Sequence, residues 1–583
     1  MEGPLPDHVP PPDRKHGAGE IAQAGGRTLN SRKVGALPIL DRFLRRLRIG
    51  EALGNRLPRE DRRWRVSNTA ALLLLVRNLL ISREPLYGVG EWAARYEPAL
   101  LGLSESQLAA LNDDRVGRAL DRLFDADVPT LVLDIAARAV REFDVDLDAL
   151  HNDSTTVTFH GDYDSAAQER TLRGQFRAAI TWGHNKDHRP DLKQLLYILT
   201  VTGDGAVPVQ FRVQSGNTTD DRSHRETWDF LRKLTGCADF LYVADCKLAT
   251  GENMAYLHKN GGRFVTVLPR TRGEDAAFRA EVLAGRVHWR RIHDKYDDEG
   301  GLVDRFSIHE PEGTSAEGYR LVWYHGAREA ELDAAARLQK IERAVGRLAE
   351  LREKLAAPRT RHRDRAEVAE AVEAILEETG TAAWITVTIE ERTEEMYRQQ
   401  RRGRPGADTL YVKRERKRFD LTHRVELERL DEEARCDGTF PLISNEPGMS
   451  AKDLLLAYKE QPMIEKRFGQ LKTDFVVAPV SLKEVSRVQA LLCVYFLALL
   501  VESLLERELR RAMGREGIES LPLYPEGRAC RRPTARKVID LFEGVQRHEL
   551  SAGRRPAVVF TTKLSRLQRR ILRLLKMRGA YDT

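Results

Sequence analysis

Cysteine is scarce in this chain: five residues in 583, scattered and odd in number, with no CxxC pair. That scarcity excludes a disulfide framework and a thiolate zinc cluster, and it fits a reducing compartment. Long apolar runs are lacking too. Ala490 to Val501 falls short of the ~20 residues a bilayer span needs, so it reads as a buried helix and no membrane segment is expected. No basic start followed by an apolar core marks a secretory leader. There is no P-loop, no GxSxG motif and no internal repeat, which removes the usual signals of nucleotide binding, serine hydrolysis and repeat architecture. His184 and His188 lie four apart in GHNKDHRP, but the Gly and Pro there keep them off a shared helix face, and they read as loop histidines rather than zinc ligands.

What is present is a chain long enough for several domains. Its 42% apolar and 31% charged residues describe a soluble globular protein. The net charge of +7 is unevenly spread: Glu506 to Thr583 holds 19 basic and 9 acidic residues. A basic tail on a near-neutral body points to a polyanionic partner.

Met1 to about Arg27 is rich in Pro and Gly, without periodicity, and is expected to be disordered. From Val34 to about Asp146 the period is helical: LPILDRFLRRL, NTAALLLLVRNLL, LNDDRVGRALDRLF and VPTLVLDIAARAVREF. At Leu147 it changes. DALHNDSTTVTFHG, LKQLLYILTVTGDG and VPVQFRVQSGNTTD read as strands separated by turns. Then follow a helix at SHRETWDFLRKLTG, a buried strand ending at Asp245, a second helix, and the strand RFVTVLP. From about Thr271 to Arg435, RVHWRRIHD and YRLVWYHGA read as strands. Leu338, Ile341, Val345, Leu348 and Leu355 read as a coiled-coil-like seam, with a returning helix after Pro358. Arg398 to Arg418 carries nine basic residues against two acidic and reads as a basic loop.

Ser450 to Lys472, SAKDLLLAYKEQPMIEKRFGQLK, opens with Ser450 and Asp453 in a capping-box pattern that predicts a helix start. At about 100° per residue, Tyr458, Gln461, Glu465 and Lys472 share one polar stripe. Leu456, Met463, Ile464 and Leu471 share an apolar face. Pro462 cannot donate to the carbonyl of Tyr458, so the helix kinks or restarts there. Alone, this is an amphipathic surface helix. Its spacing, however, resembles the signature helix of bacterial insertion-sequence transposases with an Asp-Asp-Glu triad, of the group carrying a Tyr-Arg-Glu-Lys signature. Gln461 stands where that group has Arg. LNDDRVGRALDRLF and GHNKDHRPDLKQ extend the likeness, which runs from about Leu111 to about Val501.

The resemblance implies an α/β fold: a ribonuclease-H-like catalytic domain over 147–270 and 436–505, interrupted by a mixed β and helical-hairpin insertion over 271–435. A disordered tail (1–30) and a helical DNA-binding domain (31–146) would precede it, and a basic helical region (506–583) would follow. Asp153, Asp245 and Glu465 would be the catalytic and metal-binding triad for two Mg²⁺ (or Mn²⁺) ions. Hard cations take oxygen ligands, and two ions about 3.5–4 Å apart can activate an attacking oxygen and stabilise a departing one at a phosphodiester. Singly, Asp153 reads as a turn or cap residue and Asp245 as an exposed strand end. Lys472 would contact a phosphate near the cut, and Tyr458 and Gln461 a processed strand end. Arg402 and Arg404, in RGRP, resemble a minor-groove hook. The implied partner is double-stranded DNA, both element ends and target, bound by a homodimer, with no membrane. The setting would be the cytoplasm, on the nucleoid of a prokaryote. A Mg²⁺-dependent nuclease on the same fold, or a non-catalytic DNA-binding descendant, are the alternatives.

Overall fold

The computed structural model describes the chain except for residues 1–20, 25–26, 59–63, 219–222, 298–299, 359, 361, 363, 475–481, 483, 525, 553–554 and 583. It divides into two compact units, one made of Met1–Thr266 with Asp453–Thr583, the other of Val267–Lys452. The second unit is wider at both ends than the insertion expected over 271–435.

The first unit is organised on a mixed sheet. Strand Ala149–Phe159 pairs antiparallel with Lys193–Thr202, which pairs antiparallel with Pro208–Ser215. On its other side Ala149–Phe159 runs parallel to Leu241–Ala244, which runs parallel to Arg263–Val267. Lys193–Thr202 is buried at every position, as its apolar run requires of a central strand. Helices His224–Thr235 and Gly251–Lys259 make the crossovers that parallel neighbours need. A small hairpin, Arg170–Leu172 with Gln175–Arg177, lies between the first two strands and has no counterpart in the sequence reading.

Helices Leu37–Arg46, Asn68–Ile81, Asp113–Phe124 and Val128–Phe143 stand where the helical period places them. They share one core with helix Val485–Arg515, which packs on all four and on strand Pro208–Ser215. The run Ala490–Val501 is thus the middle of a much longer helix. By length and composition this helix could cross a membrane, yet 94% of its most apolar window is buried inside the chain. A core helix surrounded on all sides must be apolar all round.

Both ends of the chain differ from expectation. Ile21–Ala24 and Arg27–Lys33 are strands, not a disordered tail, while residues 1–20 lie outside the described ones. The C-terminal region is not all helical, because Gln546–Ala552 and Arg555–Thr561 form a hairpin. The two ends meet: Arg27–Lys33 pairs antiparallel with Gln546–Ala552 over seven residues. Such pairing between remote segments leaves no local period to read.

In the second unit, Arg290–Tyr296, Leu302–His309, Arg320–Gly326 and Thr439–Ser444 form an antiparallel sheet in that order. Leu302–His309 was not anticipated. Helices Ala327–Ala356 and Arg365–Thr379 pack through Leu348, Leu351 and Leu355 against Val368, Val372 and Ile375. Leu338, expected on that seam, is 61% exposed instead. The basic stretch Arg398–Arg418 is no simple loop. It is the turn and the adjoining parts of both strands of a long hairpin, Ile385–Gln399 with Tyr411–Val425, in unbroken register.

Candidate functional site

Asp153 and Asp245 stand on adjacent parallel strands. Asn152 is the register partner of Ala244, so the two aspartates follow one residue later on neighbouring chains. Asp153 Oδ1 accepts the N–H of Ser154 at 2.7 Å. Asp245, still extended, caps a single helical turn by accepting the N–H of Lys247 at 3.1 Å. A cap was expected at Asp153 and an exposed strand end at Asp245; the helical cap falls on Asp245, which is half-buried.

The run GHNKDHRPDLKQ forms the loop beside them. Lys186 Nζ lies 3.3 Å from Asp153 Oδ1 and donates to the Ser154 carbonyl at 2.7 Å and hydroxyl at 2.8 Å. Its charge also reaches Cys246, next to Asp245. Burial raises the Cys246 thiol, Asp245 raises it further, and Lys247 and Lys186 pull it down. The following residue, Asp187, accepts from Lys472 Nζ at 2.5 Å. Two neighbouring loop residues of opposite sign thus hold Asp153 and Lys472. Asn185, buried, fixes the loop by donating to Gln194 and accepting the N–H groups of Asp187 and Arg189.

Glu465 sits on a helix that restarts at Pro462. Ala451–Lys459 ends, Gln461 takes the N-cap position, and Pro462–Gly469 begins with Pro462 in its first turn. Proline's missing N–H is an orphan at that position anyway. Ile464, Phe468 and Leu471 turn into the core, and the helix packs on strands Ala149–Phe159 and Lys193–Thr202. Glu465 is exposed on the other side, and Lys472 follows in a π-helical turn, Gln470–Asp474. The break uncouples the first half of the expected stripe. Leu456, assigned to the apolar face, is 37% exposed, and Gln461 is half-buried with its amide nitrogen shut in and unpartnered among the described residues. Gln461 therefore does not present itself to a phosphate here. Tyr458 is half-buried on the preceding helix.

What fixes this helix was missed in the sequence. Arg467, two residues past Glu465, is 1% exposed. It donates to the carbonyls of Ala206 and Gly205 at the turn after the second strand, to Gln470 Oε1 at 2.7 Å and to Glu506 Oε2 at 3.1 Å. Glu506, fully buried on the long core helix, also receives Lys466, Arg510 and the N–H of Ala535. Burial alone would raise its carboxyl, but Arg467, Lys466, Arg510 and that N–H hold it below its ordinary value. The signal was present in the sequence: Glu502 and Glu506 are acids one turn apart at the end of an apolar run, and buried acids need cations.

Among the described residues, no group of three or more His, Cys, Asp or Glu side chains is gathered closely enough to hold a metal ion. The aspartate pair fits hard-cation chemistry, with two oxygen donors on adjacent strands. Glu465 is not brought into a common cage with them, and Lys186 covers Asp153. In the second unit, the strand cations Lys413, Lys417 and Arg418 are neutralised by Glu395, Glu391 and Glu394 across the hairpin. Arg402 and Arg404, at its turn, are exposed and take no carboxylate among the described residues.

A family model described as a domain of unknown function, DUF4277, matches residues 29–137, the N-terminal helical part. No curated protein matches the chain. Among solved structures, a piggyBac transposase synaptic complex with hairpin DNA is similar at 11% identity and a TM-score of 0.24. The overlap covers 48% of this chain and 57% of that one, too slight a likeness to bear on function.

Proposed function

We propose that this chain is a DNA transposase that cuts and joins phosphodiester bonds on a ribonuclease-H-like sheet, with Asp153, Asp245 and Glu465 as its acidic residues. The observation that carries the reading is the register of Asp153 beside Asp245 in a sheet of three antiparallel strands continued by two parallel ones. The helix spaced like the transposase signature packs on that sheet. Asp153 and Asp245 would hold divalent cations, with Glu465 completing the set once the signature helix and the Lys186 loop close on DNA. When bound, two such ions activate the attacking oxygen and stabilise the leaving one. The protein's own part is positional. Lys472 exchanges Asp187 for a phosphate, Arg467 and Glu506 keep the helix seated, and Arg402 and Arg404 supply further cations for the duplex.

The ungathered carboxylates favour a second reading, a DNA-binding descendant without catalysis. Incubating the full chain with Mg²⁺ and a plasmid bearing candidate terminal repeats, taken from the DNA that flanks its reading frame, separates the possibilities. Joined products support the transposase, cut products alone a nuclease, and protein–DNA complexes without cleavage the descendant.

A further inference from the structure

Seven basic residues and no acidic one lie between Lys563 and Arg578. Ser565 and Gln568 form a capping box that starts helix Arg566–Leu574, and Ile571, Leu572 and Leu574 turn into the core. The arginines are left outside. Leu37–Arg46 is built the same way: Leu37, Ile39, Leu40, Phe43 and Leu44 are buried, so Arg42 and Arg45 face away from the core. The fold joins the two surfaces. Tyr581 donates its hydroxyl to the carbonyl of Gly35 at 2.8 Å, fastening the end of the chain beside the start of that first helix.

Two adjoining clefts result, of about 970 and 500 Å³, sharing Arg578 and Gly579. Arg569, Arg570 and Arg573 line the first, Arg42 and Arg45 the second. Arg573 pairs with Glu516 and Arg46 with Glu142. Among the described residues, Arg42, Arg569, Arg570 and Arg578 take no carboxylate partner. Like charges held together unpaired repel, and a polyanion relieves that repulsion.

We propose that this groove, made from both ends of the chain, binds the phosphate backbone of duplex DNA at a place that shares no residue with the site around Asp153. The identity of the polyanion rests on the transposase reading. The groove's chemistry narrows it further. Arginine forks two donors onto a phosphate. The aromatic side chain in the lining, Tyr581, is 7% exposed with its hydroxyl engaged, so it offers no face on which unpaired bases could stack. The apolar residues of helix Arg566–Leu574 point inward, so it lacks the outward apolar face of a membrane-surface helix. Backbone contact of this kind positions a duplex without reading its sequence.

The test uses the full-length protein and a random-sequence duplex, with affinity measured by fluorescence anisotropy over a range of salt. Each lost phosphate contact should flatten the plot of log K against log salt by about 0.9. The triple variant Arg569→Gln, Arg570→Gln, Arg578→Gln should flatten it by about 2.7, and Arg42→Gln alone, on the opposite wall, by about 0.9. Melting temperatures should not change, since these side chains hold no partner in the fold. Unchanged slopes in variants that melt like wild type would overturn the proposal, as would equal loss on single-stranded DNA or loss confined to anionic vesicles. The reading of the chain as a transposase fails separately: wild type would then bind duplex with the expected slope yet neither cut nor join it with Mg²⁺.

Discussion

Lys186 and Asp153 meet with Nζ 3.3 Å from Oδ1, so a lysine stands where a divalent cation bound to Asp153 would have to go. The two compete for one carboxylate. Lys186→Met should therefore tighten Mn²⁺ binding to the DNA-free protein, roughly 10- to 100-fold if one charged hydrogen bond of about 1.5–3 kcal/mol is relieved. Titration followed by Mn²⁺ paramagnetic resonance reads this without any turnover. Equal affinities in wild type and variant would remove Lys186 from the competition.

Asp187 and Lys472 form the companion pair at 2.5 Å. If phosphate replaces Asp187 on Lys472, Asp187→Asn frees the lysine and should strengthen duplex binding, by the 0.2–1 kcal/mol or so of an exposed ion pair. Lys472→Gln should weaken it. A gain in affinity with Lys472→Gln would contradict the exchange.

The buried carboxylate of Glu506 sets a pH dependence. Its folded value is depressed, so its stabilisation is fully present above the ordinary glutamate range and is lost as pH falls through the folded value. Glu506→Gln leaves Arg467 and Arg510 without their anion and should cost about 3–5 kcal/mol at neutral pH, as broken buried pairs do. Stability against urea should then fall less steeply on acidification than in wild type. Parallel acid profiles for the two proteins would contradict this assignment.

Gln461 carries a buried amide nitrogen with no hydrogen-bond partner among the described residues. An unmade buried hydrogen bond costs about 1–3 kcal/mol, so Gln461→Leu should stabilise the fold by roughly 1 kcal/mol in urea unfolding. A destabilised variant would mean that the amide is satisfied by water.

Helices Leu37–Arg46, Asn68–Ile81, Asp113–Phe124 and Val128–Phe143, and the five sheet strands and two crossover helices from Ala149 to Val267, were legible because each carries its own period in a short window, whereas the three-residue strands Arg170–Leu172 and Gln175–Arg177 are too short to show one. The restart at Pro462 was legible for the same local reason. What escaped the sequence is non-local. Lys186 meets Asp153 across 33 residues, Asp187 meets Lys472 across 285, and Gln546 pairs with Lys33 across most of the chain. The strands at Gln546–Thr561 were obscured by the region's charge, and Leu338 and Leu456 kept a helical period without a neighbour to bury them. Proximity of Glu465 to the aspartates is a matter of tertiary closure, which spacing along a helix does not determine.

The most direct measurement is single-turnover nicking of a labelled duplex carrying one element end, with Mg²⁺, by wild type and by Glu465→Gln. The amide keeps the shape of the side chain and removes the charge that would offset the cations. Wild type should cleave, Glu465→Gln should not, and both should bind the uncut duplex equally. Cleavage by Glu465→Gln at the wild-type rate would contradict this, because the acidic residue on the restarted helix would then have no part in the chemistry.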